Sequence, residues 1–321
     1  MIATLPLRQS TVDALVAAGL DPTQVAEIAV RALAEDLDGG LDATSVATVQ
    51  ADRDDTGDLV VRAAGVIAGI PVVAAVFDVV GTAAAAAEGE TGTAVSVTVR
   101  AADGDRVRRG DVIATVTGPT RALLTAERTA LNLLCHLSGV ATVTAAWVDA
   151  VAGTGAAVRD TRKTLPGLRA LEKYAVRCGG GVNHRMSLSD AALVKDNHVV
   201  AAGGVAEAYR AVRESFPDLP VQVECDSLSD VDKAVAAGAT EILLDNMSTV
   251  DMRAAVETAH PRGVRLEASG GLTLARAREV AETGVDYLAV GALTHSAPVL
   301  DVALDLRPAE AATPTAEPAE A

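Results

Sequence analysis

The sequence is short of aromatic residues and of positive charge. Only 2% of its 321 residues are aromatic although half are apolar, so Ala, Val and Leu are expected to form a core of closely packed helices and strands. The formal net charge of −16 argues against nucleic-acid partners and against a membrane partner, because nucleic acids and anionic membranes bind basic surfaces.

Cysteines are few as well. Cys135, Cys178 and Cys225 are widely spaced and form no CxxC pair, which argues against a disulfide framework or a zinc knuckle. Their use fits a reducing compartment, so we expect a cytoplasmic protein, and the N-terminus shows no signal-peptide pattern. Residues 129–148 carry no formal charge, but their polar side chains favour a buried helix or helix pair over a membrane span.

Short apolar runs between Gly and Asp turns predict a small, mostly antiparallel sheet in the first part of the chain. The runs lie near residues 59–61, 66–68, 94–99 and 112–116. Apolar residues at helical spacing predict a helix over 25–37, and a long helical pattern follows Pro119.

From residue 156 onward, short apolar runs alternate with helical segments. Six runs begin near residues 156, 192, 221, 241, 264 and 286, and a spacing of roughly 20–35 residues is typical of βα units. The pattern predicts a parallel sheet, either doubly wound or closed into a barrel. No Gly-x-Gly-x-x-Gly follows the first run, which weakens the dinucleotide-binding alternative.

Residues capable of chemistry stand at the end of each predicted strand of this second part. In a barrel, the carboxyl ends of the strands form one face, where active sites are built. These residues are Asp160 to Lys163, Lys195 to Asn197, Glu224, Asp245, Asn246, Glu267 to Gly271, and Gly291.

The basic residues of the chain cluster near these strand ends. Between residues 159 and 198 there are eight Lys or Arg and four acids, so this segment is positive within a negative chain. A positive pocket selects a compact anion, and arginine pairs well with carboxylate or phosphate. Arg169, Lys173 and Arg177 fall on a helical segment and are expected to face solvent.

Two glycine-bearing loops and two acids complete the pattern. Ser269-Gly270-Gly271 and Gly291-Ala292 follow the last two strands, where barrels often bind phosphate, although such sequences are commonly only turns. Glu224 and Asp245 could hold ribose hydroxyls or Mg²⁺, or could simply pair with Lys195 or an arginine.

Seven stretches together resemble quinolinate phosphoribosyltransferase, a type II phosphoribosyltransferase family. DTRKT and GGGVNHR within residues 160–185, with KDNH at 195–198, are the most specific, and the resemblance runs from about residue 25 to 306. The stretches are ERTALNLLCHLSGVAT, DTRKTLPGLRALEKYAVRCGGGVNHR, VKDNH, VECDS, ILLDN, ASGGL and YLAVGALTH.

The resemblance implies an α/β fold with an incomplete TIM-like barrel and an N-terminal α+β sandwich-like domain. We therefore expect the sandwich domain at 25–131 plus 297–307 and the barrel at 132–296. The sequence itself predicts an N-terminal extension of uncertain structure at 1–24 and a disordered acidic tail at 308–321. The implied assembly is a homodimer in which the N-terminal domain of one subunit caps the barrel of the other.

The implied reaction joins quinolinate to 5-phosphoribosyl 1-pyrophosphate (PRPP) with Mg²⁺, releasing CO₂ and pyrophosphate and giving nicotinate mononucleotide. The implied substrate-binding residues fall into three groups. Four of them, Lys163, Lys195, Glu224 and Asp245, are also implied to be catalytic, and Glu224 and Asp245 also approach the metal. The first group is Arg128, Arg162, His184 and Arg185 for quinolinate; the second is Lys163 and Lys195 near the carboxylate and the phosphates, with Glu224 and Asp245 at the ribose hydroxyls and the metal; the third is Ser269, Gly270, Gly271, Gly291 and Ala292 for the 5′-phosphate. Thr161 and Val290 are also implied to bind substrate, without a more specific role.

Three other readings of the same residues are open. A nicotinate phosphoribosyltransferase, or another type II member acting on a related acid, would leave some of these cations without a carboxylate, at a cost of about 1–3 kcal/mol each if buried. Lys195 could form a Schiff base in an aldolase, or the chain could be a regulator that binds a phosphosugar without turnover.

The remaining histidines and Cys225 are expected to be mainly structural. His136 should be packed and hydrogen-bonded, and His260 should be solvated on the face opposite the strand ends. His198 and His295 lie near the predicted mouth, and Cys225 is expected to fill a buried strand position.

Overall fold

The computed structural model of the chain describes residues 7–87, 89 and 94–307. The predicted tail at 308–321 and the first six residues of the predicted extension lie outside the described residues.

The first part of the described chain is a mixed layer of helices and strands. Its elements are α1 (Gln9–Ala17), α2 (Pro22–Leu37), α3 (Ala43–Thr48), β1 (Asp54–Val61), β2 (Gly65–Val66), α4 (Ile70–Ala87), β3 (Ser96–Val99), β4 (Arg106–Val107), β5 (Val112–Pro119) and α5 (Thr120–Ala150). Helix α2 starts where Asp21 accepts a hydrogen bond from the backbone N–H of Thr23 and Pro22 occupies the first turn.

The sandwich layer is a four-stranded antiparallel sheet that, within the described residues, starts at the edge strand β12 (Val302–Leu306) and continues in the order β1-β5-β3. Strand β12 comes from the end of the described chain and pairs with β1, Gly57 opposite Leu306. The segment predicted to return to the N-terminal domain therefore lies in its sheet.

Helix α1 lies within residues predicted to form an extension of uncertain structure. Its Leu15 is fully buried, and the preceding Arg8 donates at 2.5 Å to Asp78 of α4, a fully buried carboxylate. Residues from Arg8 onward are therefore part of the N-terminal core, because Asp78 would otherwise be buried without a cation.

Helices α4 and α5 carry the apolar centre of the N-terminal part. By length and composition alone both could cross a membrane, and in each the most apolar window is 61% buried inside the protein. Residues 129–148 belong to one 31-residue helix, α5, which settles the open alternative of a helix or helix pair. This helix also crosses the predicted boundary at 131/132 without a break.

The second part follows the predicted βα rhythm. Its elements are β6 (Ala157–Arg159), α6 (Arg169–Cys178), β7 (Ala192–Val194), α7 (Asp196–Ala202), α8 (Val205–Ser215), β8 (Val221–Cys225), α9 (Leu228–Ala236), β9 (Glu241–Asp245), α10 (Thr249–Ala259), β10 (Arg265–Ser269), α11 (Ala277–Ala281), β11 (Tyr287–Ala289) and α12 (Ala292–His295). Each strand starts within one residue of its predicted position.

The six strands form one parallel sheet in the order β6-β11-β10-β9-β8-β7. Among the described residues no pairing joins β6 to β7, so the sheet curves without closing. The predicted fold class, an incomplete TIM-like barrel with an N-terminal α+β domain, is confirmed.

Candidate active site

Alternation along the strands decides which side chains enter the barrel. On β9, Ile242 and Leu244 are fully buried in the outer apolar layer, whereas Leu243 and Asp245 line the central cavity. Because successive side chains of a strand point to opposite faces, every second residue enters the barrel, and the last inward residue lies at its carboxyl end.

A cavity of about 610 Å³ opens at this end of the barrel. Its lining residues come from the six barrel strands and the loops that follow them. These strands were predicted one by one along the sequence. Its lining consists of Thr161, Arg162, Lys163, His184, Arg185, Leu193, Lys195, Glu224, Leu243, Asp245, Asn246, Glu267, Ser269, Gly270, Gly271 and Ala289. The predicted convergence of cations and acids therefore exists as one cavity.

The cations lie on three segments, namely the loop after β6, the loop after α6 and the end of β7. Burial and then the neighbouring Arg162 lower the pKa of Arg185, so the two guanidinium groups repel each other across the cavity. The buried Nε of Arg162 has no hydrogen-bond partner among the described residues. An unpaired buried donor costs about 1–3 kcal/mol, which an anionic ligand would relieve.

The two carboxylates differ in their surroundings. Glu224 accepts a hydrogen bond of 2.9 Å from Lys195, as the ion-pair alternative anticipated. Asp245 accepts from the side-chain amide of Asn246 at 2.8 Å, and no Lys or Arg pairs with it among the described residues. Of these two acids, Glu224 is therefore neutralised by a cation, whereas Asp245 is held only by an amide.

The Ser269-Gly270-Gly271 loop closes one side of the cavity. Gly270 has φ +87°, a conformation that favours glycine, and a Cβ there would lie 2.2 Å from Oδ1 of Asn246, so any larger residue would also have to displace the Asn246 side chain. The elements that follow are a short 3₁₀ turn (Leu274–Arg276) and the five-residue α11. Phosphate binding here would depend on loop N–H groups more than on a helix end.

The second predicted phosphate loop lies beside the cavity. Gly291 packs against Lys163, with a Cβ position 3.0 Å from the lysine Cδ and 3.4 Å from Nε2 of His295. Val290 is buried and Ala292 begins α12. These residues adjoin the site without lining the cavity itself.

Arg128 does not join the cavity of its own chain. It lies on the exposed side of α5, in the N-terminal part of the fold. Its predicted role therefore requires a second subunit.

One prediction about the cations is wrong. Lys173 was expected to face solvent on α6, but it is fully buried and pairs with the equally buried Asp160. Its ammonium also donates to the backbone carbonyl of His184 at 2.9 Å, and Asp160 accepts from the His184 N–H at 2.8 Å. Burial lowers the pKa of Lys173, against the opposing effect of Asp160.

The other two helix cations are also engaged. Arg169 donates to the backbone carbonyl of Met186, and Arg177 donates to the carbonyl of Ala18 and the side chain of Asn183. Helix α6 therefore holds the loops around the site, which helical spacing alone did not indicate.

Sequence reasoning named Glu267 as a strand-end residue but missed the polar network that it forms in the wall and floor of the cavity. Gln222 and Glu267, both nearly or fully buried, hydrogen-bond each other at 2.8 Å, and Arg159 donates to Glu267 at 2.8 Å and to Glu241 at 2.5 Å. Burial opposes the charge of Arg159, but Glu267 and Glu241 outweigh it and raise its pKa. The sequence did contain a signal for Gln222. It lies two residues before Glu224 on the same strand, and residues two apart lie on the same strand face.

The histidine and cysteine expectations have mixed outcomes. His136 is packed and lies 2.8 Å from the buried Glu172, as predicted. His260 is partly exposed but lies 3.1 Å from a carboxylate oxygen of Asp286, so it is not simply solvated. Cys225 is buried, and burial raises its thiol pKa to about 12, which fits a structural residue.

Fold and cavity together define an incomplete-barrel enzyme that takes a compact, multiply anionic substrate at the carboxyl ends of its strands. Comparisons with known proteins specify the class further. The profile "Quinolinate phosphoribosyl transferase, N-terminal domain" matches residues 42–138, and the profile of the C-terminal domain matches residues 140–305.

Named relatives agree over most of the chain. The chain is 55% identical over 278 residues to the nicotinate-nucleotide pyrophosphorylase [carboxylating] of Mycobacterium leprae, covering 86% of this chain and 95% of the relative. The corresponding human protein is 45% identical over 199 residues, which cover 60% of this chain and 67% of that one. The solved nicotinate-nucleotide pyrophosphorylase of Francisella tularensis superposes with a TM-score of 0.81 at 34% identity, covering 90% of this chain and 98% of that one.

The chain belongs to the quinolinate phosphoribosyl transferase family. It is a pentosyltransferase of pyridine nucleotide biosynthesis whose small-molecule substrates are quinolinate and PRPP.

Proposed function

We propose that the cavity at the carboxyl ends of the barrel strands is where quinolinate is ribosylated and decarboxylated to nicotinate mononucleotide. The observation that carries this proposal is the convergence of five cationic or imidazole side chains, three acids and a glycine loop on one cavity of about 610 Å³. A doubly charged ring acid and a phosphosugar need these groups within reach of each other.

The two carboxylates of quinolinate are assigned to Arg162, Lys163 and Arg185 in this subunit. The unpartnered Nε of Arg162 and the mutual repulsion of Arg162 and Arg185 support this assignment, because an anion between them relieves both. The alternative substrate nicotinate has one carboxylate and would leave part of this charge uncompensated.

Glu224 and Asp245 are assigned to the ribose of PRPP and to Mg²⁺. These residues fit a magnesium ion, because Mg²⁺ is usually held by one or two carboxylates together with substrate phosphate oxygens, and Asp245 has no cationic partner among the described residues. When bound, the ion would neutralise charge on the pyrophosphate. Lys195 bridges to Glu224 and lies where it can share that task.

The loop 269–271 and the adjoining residues 290–292 are assigned to the 5′-phosphate. The left-handed glycines of the first loop support this, because a backbone without Cβ lets a phosphate approach its N–H groups. Lys163 packs on Gly291 and would add a charge at the junction of the two substrates.

The chemistry that follows depends on position and charge. The pyridine nitrogen attacks C1 of the ribose, the C1–O bond breaks, and pyrophosphate departs with the bonding electrons. The nitrogen lone pair is itself the nucleophile, so no general base is required, and Lys163 and Lys195 offset the developing negative charge. The cationic ring then accepts the electrons released when the adjacent carboxylate leaves as CO₂, and the ring carbon takes up a proton.

We propose further that the active unit is a homodimer with shared sites. Arg128 lies outside its own cavity, and the open barrel edge carries a largely apolar groove of about 570 Å³. This groove adjoins the cavity and shares Arg162, Arg185, Leu193 and Lys195 with it. A partner subunit seated there would cover the apolar wall and bring its Arg128 toward quinolinate.

We also propose a cytoplasmic location without nucleic-acid or membrane partners. Three cysteines that are free in the structure and a net charge of −16 support this proposal.

The deciding experiment incubates the full chain with PRPP, Mg²⁺ and either quinolinate or nicotinate. We expect CO₂ release and nicotinate mononucleotide from quinolinate, no product from nicotinate, and loss of turnover when Mg²⁺ is chelated. Turnover of nicotinate at a comparable rate would contradict the assignment.

The shared site is tested by mixing subunits. Arg128→Ala and Arg162→Ala should each be nearly inactive alone, whereas mixed dimers should regain activity in the site that contains neither change. Absence of rescue in verified mixed dimers would contradict the shared site.

A further inference from the structure

The ring of His184 is held by two neighbours: the side chain of Gln222, which has no assigned role, and the backbone N–H of Arg185. Its Nε2 lies 2.8 Å from Oε1 of Gln222, and its Nδ1 lies 2.7 Å from the backbone nitrogen of Arg185. Both ring nitrogens are therefore engaged by the protein itself.

The partners of Gln222 fix the proton on this ring. The amide Nε2 of Gln222 faces two carboxylates, Glu267 at 2.8 Å and Glu241 at 3.2 Å, so the amide oxygen must face His184. An oxygen acceptor requires a proton on Nε2 of His184. The Nδ1 atom accepts the Arg185 N–H and so carries none.

The backbone of His184 is held equally firmly from the other side. Asp160 accepts its N–H at 2.8 Å, and Lys173 donates to its carbonyl at 2.9 Å. Because the buried pair fixes the main chain, the contact with Gln222 determines the orientation of the ring.

We propose that Gln222 and Glu267 are positioning residues that hold His184 as a neutral, Nε2-protonated ring and so shape the quinolinate end of the cavity. The inference rests on the proposed function, and it assigns the charge that grips the substrate to Arg162, Lys163 and Arg185. His184 contributes an oriented, uncharged wall between them.

The surrounding charges are consistent with a neutral ring. Glu267 lines the cavity, and one of its carboxylate oxygens lies 3.7 Å from Nε2 of His184. Arg159 and Gln222 both bond that oxygen, and the guanidinium charge offsets that of the carboxylate, which limits its repulsion of a dianionic substrate. Arg159 in turn lies 4.2 Å from the ring centre of Tyr287, which fixes the guanidinium from below.

A metal ion does not explain this cluster better. Ligand atoms of His184, Glu241 and Glu267 lie within 4.8 Å of one another, but the Arg159 guanidinium already bonds both carboxylates. A cation between them would also meet the proton that His184 directs at Gln222.

The test combines tautomer spectroscopy with kinetics. Two-bond ¹H–¹⁵N spectra of ¹⁵N-histidine-labelled full-length protein distinguish the tautomers, and His184→Asn identifies the His184 signals among the five histidines. We expect wild-type protein at neutral pH to show Nε2-protonated, neutral His184.

Gln222→Met keeps a similar volume but removes the acceptor. We expect the His184 signals to move toward a tautomer mixture and kcat/KM to fall by about 10–100-fold, mainly through KM for quinolinate, because small misplacements in a site are costly. Gln222→Glu retains an acceptor and should keep Nε2 protonated. Lys233→Met, which removes an exposed ion pair outside this network, is the control and should leave the spectrum unchanged.

Two results would overturn the inference. One is a wild-type His184 that is Nδ1-protonated or doubly protonated at neutral pH. The other is a folded Gln222→Met protein with unchanged signals and unchanged KM for quinolinate. The spectrum does not depend on turnover, so failure of wild-type protein to use quinolinate would count against the proposed function alone.

Discussion

The two halves of the molecule have different interiors. The N-terminal half is centred on apolar side chains such as Leu59, Phe77 and Leu123, each buried to 1% exposure or less. The barrel has an apolar outer layer, but its inside contains buried charged and amide groups, among them Asp160, Lys173, Gln222 and Glu267.

This difference shows which interactions determine the side-chain arrangement in the interior of each half. Apolar burial is non-directional, so the N-terminal core, apart from the buried Asp78 and its partner Arg8, depends mainly on volume and tolerates adjustment. A buried charge needs its partner at a fixed distance, so the barrel interior holds a single arrangement and is vulnerable to loss of one group. That arrangement places the residues of the cavity above it.

The largest effect is expected from breaking the buried ion pair. Lys173→Met leaves Asp160 buried without its cation, which should cost about 3–5 kcal/mol of unfolding free energy and also reduce kcat/KM. Denaturant unfolding monitored by circular dichroism measures the loss. The double variant Asp160→Asn/Lys173→Met should recover more than half of the lost stability; equal instability of single and double variants would refute the pairing argument.

A comparable loss without a functional effect is expected from the N-terminal core. Leu59→Ala should cost about 2–5 kcal/mol because it leaves a cavity in a packed sheet. Activity per folded molecule should stay within about twofold of wild type, since Leu59 is not among the residues that line the cavity. A large fall in kcat/KM of the folded variant would contradict the view that only the barrel interior, and not the N-terminal core, positions the active site.

A smaller effect is expected at the glycine loop. Gly270→Ala should cost about 1–3 kcal/mol through backbone strain and raise KM for PRPP, because the new Cβ meets Asn246. Gly263→Ala is a matched control: its φ is +73°, and nothing lies within 4 Å of the Cβ position. It should lose similar stability but retain KM for PRPP, and equal kinetic effects would contradict a role for the loop.

The smallest effect is expected from an exposed ion pair of the N-terminal sheet. The hydrogen bond from Arg307, together with Thr115 and against burial, lowers the pKa of Asp58. A lowered carboxyl pKa contributes stability above the unfolded value near pH 4, and that contribution is lost as pH falls through the folded pKa.

Thermal unfolding of Arg307→Met tests the predicted direction of this pH dependence of stability. The melting temperature of the variant should lie slightly below that of wild type at pH 7, and the gap should narrow at acidic pH. A gap that widens on acidification would be the opposite of the expected linkage.

Much of the barrel was predictable because its signals are local. Short apolar runs located the six strands, and the residue after each run identified most of the cavity lining, including Arg162, Lys195, Glu224 and Asp245. Helix α1 was not predicted, because it shows its role only through Leu15 and the contact of Arg8 with Asp78.

The sequence by itself determined the order of elements, the strand faces and the end of the barrel where chemistry collects. Only the tertiary structure decided which charges are buried and which partners they have. Lys173 and Asp160 are 13 residues apart, and Gln222 and His184 are 38 apart. The helical or strand period assigns a side chain to one face of its element. Which buried charged and amide groups pair with each other depends on how distant segments pack, and in the protein interior these pairs strongly affect the free energy of unfolding.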